Sequence, residues 1–261
     1  MVCIVILRWN TDVDVKIKTR CRPAAQLRAL EAELVARDQL NAEGGVLLHT
    51  NVHSGSDGWP EQDQAEYFKH ALPMLASNRC SGNNGDNGDN GADASASSHE
   101  THRGRPLGNP FVAARLCHQF PELKLTLDAS HWMLVCERLL GSPGSSANAE
   151  ETNALSMLLQ RTAHIHARVG TVEAAQLGSG AAGYTEFEKA AVDAHEELWL
   201  KVWEHQRLAG TLDVTTATPE YGPTPYTPFV PTTDTPVANV WDQTEEAARR
   251  LKALFASATP N

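Results

Sequence analysis

The chain has 261 residues, 22 basic against 32 acidic side chains, and a formal net charge of -10. That balance excludes nucleic acid as the main partner, because phosphate binding needs a concentrated basic face and the Lys and Arg are scattered. Five Cys, none in a Cys-x-x-Cys pair, exclude a disulfide framework and a thiolate zinc site, and no run reaches the roughly 18 apolar residues of a membrane helix.

In chain order, VCIVILRW (2–9) is an apolar, β-rich run and reads as a strand, without the basic start or cleavage site of a signal peptide. Domains seldom begin mid-sheet, so upstream material is expected to be missing. The cytoplasm is the expected compartment, or an organelle if a transit segment is lost. Leu27, Leu30, Leu34 and Val35 fall at helical spacing before Gly44-Gly45. VLLHTNVHSG (46–55) reads as strand, and Pro60 opens a helix over 60–76. Residues 78–98 are a low-complexity insertion of Asn, Gly, Asp, Ser and Ala with almost nothing apolar to bury. Beyond it come helix (109–121), strand (123–132), helix (132–141), helix (151–162) and strand (163–170). A strongly amphipathic helix (187–210), a strand (211–222), a Pro-rich loop and a final helix (240–256) complete the chain. Strand then helix, repeated about six times, indicates an α/β fold with a parallel sheet.

Polar residues cluster where these strands end: His53 to Asp57, Glu100 to Arg105, Asp128 to His131, His164 to Arg168, and Glu220. In a (β/α)8 barrel such ends converge on one pocket. A doubly wound sheet would carry a Gly-rich phosphate turn, and neither GxGxxG nor GxxxxGK is present. Glu100 and His102 share a side if they lie on a strand, and a solvent-facing loop is the alternative. Asp128 faces away from Leu123, Leu125 and Leu127, and a helix N-cap is its ordinary role. His164, His166 and Arg168 share one strand face, with an exposed edge strand as the alternative. Two Glu, one Asp and one His from four successive strands make a ligand set suited to Mn, Mg, Co or Zn. Such an ion would polarise a carbonyl and stabilise an enediolate. Trp59, Trp132, Trp199, Trp203 and Trp241 read as core or helix-packing residues rather than sugar platforms, with Trp132, beside His131, the best candidate among them for a substrate wall. His70, His118, His195 and His205 lie within helices and read as structural or surface groups.

The segments NVHSGSDGW (51–59), HETHRGR (99–105), LKLTLDASHW (123–132), HIHARVG (164–170) and TPEYGPTPY (218–226) carry a resemblance. In that order they resemble the sugar phosphate isomerase/epimerase proteins with a xylose isomerase-like TIM barrel. The resemblance implies one domain over 1–261, an α/β fold of the TIM (β/α)8 barrel type lacking its first one or two β/α units. VCIVILRW would then be about strand three, and the poor strand former ASASS (94–98) would leave Glu100 badly positioned. It implies one divalent metal ion on Glu100, Asp128, His166 and Glu220, with His164 as the alternative third ligand. Glu100 and Glu220 would be catalytic, one removing and one returning a proton next to a carbonyl. His131, Arg168 and His164 would contact substrate, with His53, Asp57 and Trp132 lining the pocket and His102, Arg103 and Arg105 serving an anionic group. The implied function is a metal-dependent isomerase or epimerase of a sugar or sugar phosphate. The partner is then a small molecule, with no nucleic acid and no membrane, and an oligomer is compatible. The rival reading is a truncated barrel that binds a ligand or partner without catalysis. A metal-dependent abasic-site endonuclease would need further His and Asp ligands and a basic face, against the acidic balance.

Overall fold

The computed structural model describes residues 3–6, 22–42, 49–77, 96–141, 148–178, 184–212 and 214–258. Strands and helices alternate: β1 (Cys3–Ile6), α1 (Pro23–Ala42), β2 (His49–Val52), α2 (Glu61–Ser77), β3 (Ala96–Glu100), α3 (Pro110–Gln119), β4 (Leu125–Leu127) and α4 (Ala129–Cys136). Then follow α5 (Ala149–Gln160), β5 (Thr162–His166), α6 (Glu186–Leu208), β6 (Val214–Thr218) and α7 (Val240–Ala258). The strands form one parallel sheet in the order β1-β6-β5-β4-β3-β2, curled into a half-barrel. Among the described residues no helix is long and apolar enough to cross a membrane.

Two expectations are corrected. The first strand is not a neighbour of β2: it pairs with β6, in register Cys3 with Val214 and Ile6 with Ala217. It therefore lies beside the last strand, where a closed barrel would carry its first, and not in the third place. The insertion is also shorter at its C-terminal end. Ala96–Ser98 belong to β3, which pairs with β2 on one side and β4 on the other. Small polar residues make poor strands alone, but a central strand is held by two ladders, and its context overrides propensity. Ser98 fits there because its Oγ bonds His49 Nε2 at 2.8 Å and Thr126 Oγ1 at 2.5 Å. The rest of the insertion, 78–95, lies outside the described residues.

One face of the sheet carries the core. Leu125, Leu127, Ile165, Ala167 and Ala217 are buried there with apolar residues of the helices. Helix α6 begins on a capping box, Thr185 with Glu188, and buries Ala191, Val192, His195, Leu198, Trp199, Val202 and Trp203 at three- and four-residue spacing. The expected apolar stripe of α1 is only partly kept: Leu30 and Leu34 are buried, but Val35 is exposed. Trp241 is 69% exposed, so it is not the core residue its composition suggested. Leu127 is wholly buried between sheet and helices. Leu127→Ala is expected to destabilise the fold by about 2–5 kcal/mol, the usual cost of such a cavity, read as a lower urea midpoint at unchanged slope.

Candidate functional site

Strand alternation turns every second residue of β2 to β6 to the other face, and nearly all of these are polar. Two layers result. In the lower one His49 and His164 stack, with ring centroids 4.4 Å apart and planes 13° apart. His49 reaches Ser98, and His164 reaches Thr216 Oγ1 at 2.7 Å and Thr218 Oγ1 at 3.1 Å. Burial depresses both imidazoles, His49 to about 3 and His164 well below its usual range, so they are neutral spacers.

The upper layer lies at the C-terminal strand ends. Glu100 ends β3, Asp128 follows β4, His166 ends β5 and Glu220 follows β6. One ligand atom from each of the four lies within 4.8 Å of every other. His166, not His164, belongs to this group. Glu100 Oε2 accepts from Asn51 Nδ2 at 2.6 Å and lies 2.7 Å from His53 Nε2. Burial would raise Glu100, but His53 and His166 outweigh it and hold the carboxyl well below its usual range. Burial would likewise depress His166, but Glu220 and Glu100 hold its imidazolium well above the usual range. Glu220 is pushed up by burial and by Glu100, against the pull of His166 and Arg168.

Asp128 has two roles at once. Its Oδ1 caps α4 by accepting from the Ser130 backbone N–H at 3.0 Å and from Ser130 Oγ at 2.5 Å. Its Oδ2 pairs with the Arg168 guanidinium, and both side chains are buried. Burial works against the anion, yet Arg168 and then His131 keep the carboxyl far below its usual range. Arg168 also lies 3.5 Å from Glu220.

The donor set fits a divalent ion on two grounds. Glu100 Oε1, His166 Nδ1 and Glu220 Oε2 are buried and make no hydrogen bond among the described residues. Yet His166 Nδ1 stands 2.9 Å from Glu220 Oε2 and 3.8 Å from Glu100 Oε1. Buried polar atoms need a partner, and an ion held among these three would supply one to each. The charge also fits. Three carboxylates gather here against one guanidinium, and a bound cation would take the place of the proton that Glu220 and Glu100 hold on His166. Glu100, His102 and His131 also approach within 4.8 Å of one another, but His131 is flanked by Arg103 and Arg168, whose charge opposes a second cation there.

The remaining expected residues divide. His53, 42% exposed, stands at the open mouth over Glu100, and His102, Arg103 and His131 gather beside it. Arg105 donates to the Gly55 carbonyl at 2.8 Å and holds the β2–α2 loop. Asp57 is exposed, and its backbone N–H meets the Gly104 carbonyl at 3.3 Å. Trp132 is not a substrate wall: it is wholly buried in the core and donates its indole N–H to the Leu107 carbonyl at 2.8 Å. Two site residues were missed. Asn51 sits two before His53 on β2, so strand alternation could have found it. Tyr226 lies under two guanidiniums, Arg168 at 4.6 Å and Arg103 at 5.3 Å from its ring centroid, with its hydroxyl 3.2 Å from His102 Nε2. It comes from the Pro-rich loop, where no periodicity marks it.

Removing the Asp128 charge should leave the buried Arg168 with the looser Glu220 as its one remaining carboxylate among the described residues. Asp128→Asn is expected to cost about 3 kcal/mol at pH 7 in urea unfolding, the low end for a broken buried pair. Because the folded value of Asp128 lies below its unfolded one, its contribution is full above about pH 4 and fades as pH falls through the folded value. The gap between wild type and variant should therefore narrow below about pH 4. A gap that stays constant down to acid unfolding would refute the pair's role.

Set beside known protein families, curated proteins and solved structures, the chain matches none of them.

Proposed function

We propose that this protein is a divalent-metal-dependent isomerase or epimerase of a sugar or sugar phosphate, built on part of a TIM-type barrel. The observation that carries the reading is the convergence of Glu100, Asp128, His166 and Glu220 with three of their ligand atoms buried and unbonded. The parallel sheet supports it, since the group lies at the C-terminal strand ends, where such folds place their chemistry. The oxygen-rich set with one imidazole would hold Mn, Mg, Co or Zn, which supplies Lewis-acid polarisation of a substrate carbonyl.

The chain's own groups would do the rest. Glu100 is fixed by Asn51 and His53 through Oε2, so it stays an oriented carboxylate. Glu220 comes from a different strand end, meets the same His166 Nδ1 as Glu100, and is 18% exposed where Glu100 is wholly buried. Two carboxylates from β3 and the end of β6 can therefore address a substrate carbon from different directions, one taking a proton and the other returning one. Arg168 and His131 would orient hydroxyl oxygens. A second reading, a barrel that binds without turnover, is favoured by one observation: among the described residues β1 and β2 end the sheet without pairing to each other.

Protein purified with manganese and freed of tag histidines is expected to hold about one ion per chain by elemental analysis, lost in Glu220→Ala. It should catalyse deuterium exchange from solvent next to the carbonyl of a ketose, slowed about a hundredfold or more in Glu100→Gln and Glu220→Gln. A folded wild type without stoichiometric metal would overturn the proposal. Metal without exchange on any ketose tried would favour the non-catalytic barrel.

A further inference from the structure

The mouth of the site holds a guanidinium that no carboxylate among the described residues neutralises. Arg103 lies in the turn after β3 and is half-buried. No carboxylate among the described residues lies within ion-pair distance of it, in contrast to Arg168, which has both Asp128 and Glu220. What Arg103 meets is the Tyr226 ring and His131 Nδ1, 3.2 Å from its Nη1. The other ring nitrogen, His131 Nε2, is 2.9 Å from Arg168 Nη2.

Donor counting then leaves a surplus. A neutral imidazole has one lone pair and one N–H, and a protonated one has no lone pair. Two guanidiniums approach the two nitrogens, so in either state at least one of them faces an N–H. Arg168 has other acceptors, Asp128 and Ser130 Oγ. Arg103 has none beyond His131 in this cluster. Its planar fork, on the far side of the imidazole from Asp128, needs an acceptor supplied from outside, and a carboxylate or phosphate fits it in two-pronged fashion. His102, with Nε2 at the Tyr226 hydroxyl, stands alongside. In a chain with a net charge of -10, an unneutralised cation at the edge of an acidic group is a local feature aimed at a ligand.

We infer that Arg103, flanked by His102 and Tyr226, is an anion subsite that takes the phosphate or carboxylate of the substrate at the end away from its reacting carbonyl. The substrate is then a sugar phosphate or a sugar acid and not a neutral ketose; this part rests on the isomerase reading, whereas the subsite itself does not.

The test is isothermal titration of the manganese-purified chain with inorganic phosphate and, separately, with glycerate, at constant ionic strength. At least one should bind saturably, about tenfold or more weaker in Arg103→Met at unchanged metal content. Phosphate binding tighter than glycerate assigns a phosphoester, and the reverse assigns a sugar acid. Labelling of wild type with an arginine-selective dicarbonyl, mapped by mass spectrometry, gives a readout that needs no variant: the bound anion should slow modification of Arg103 several-fold. No saturable binding of either anion, an affinity indifferent to Arg103→Met, or equal labelling of Arg103 with and without anion overturns the subsite. Phosphate that binds through Arg103 in a chain lacking metal would sink the isomerase reading and leave the subsite standing.

Discussion

The buried pair of Asp128 and Arg168 is the interaction on which the site depends. It ties the end of β4 to the end of β5, starts α4 through the Asp128 cap, and brings His131 to the arginine's side. A lone charge at that depth would cost several kcal/mol, so neither partner can be present without the other. The pair also ranks the possible metal ligands. Both Asp128 oxygens already accept hydrogen bonds, whereas Glu100, His166 and Glu220 each keep one atom unbonded. Those three would thus be the uncontested ligands of an ion, and Asp128 would join through a remaining lone pair of its carboxylate.

The polar floor beneath this layer has a separate purpose. In a filled barrel the inner positions are mostly branched aliphatic residues. Here β2 to β6 turn His49, Ser98, Thr126, His164 and Thr216 to that face. Each bonds a neighbouring strand's side chain or stacks on one, so the floor is satisfied within itself and gives Glu100 and His166 a rigid base. Neutral imidazoles suit this role: they bond without adding charge below a group already crowded with ionisable side chains.

Strand periodicity made much of this legible. The alternation of Leu123, Leu125 and Leu127 with Thr126 and Asp128 separated core from site, and His164, His166 and Arg168 fell on one face as their spacing requires. Trp132 misled because Ala129 begins a helix. The period changes from two to 3.6 there, and a neighbour of His131 need not share its direction. The place of β1 could not be read, since four apolar residues fix a strand but not the partner it pairs with. The ASASS segment misled in the other direction. Its propensity is poor, yet ladders on both sides of β3 and the Ser98 bonds hold it, and those are long-range facts. Tyr226 depends wholly on the loop's path back over Arg168.

The open sheet bears less on the site than its edges suggest. Every group placed in the upper layer comes from β2 to β6 or from the turns that follow them: Asn51 and His53 from β2, Glu100 to Arg103 from β3, Asp128 and His131 from β4, His166 and Arg168 from β5, Glu220 and Tyr226 from β6. None comes from β1. Five consecutive paired strands thus carry Glu100, Asp128, His166, Glu220 and the Arg103 fork. Closure of the sheet would govern how much water reaches them, and so the strength of each charge interaction, but not which residues meet.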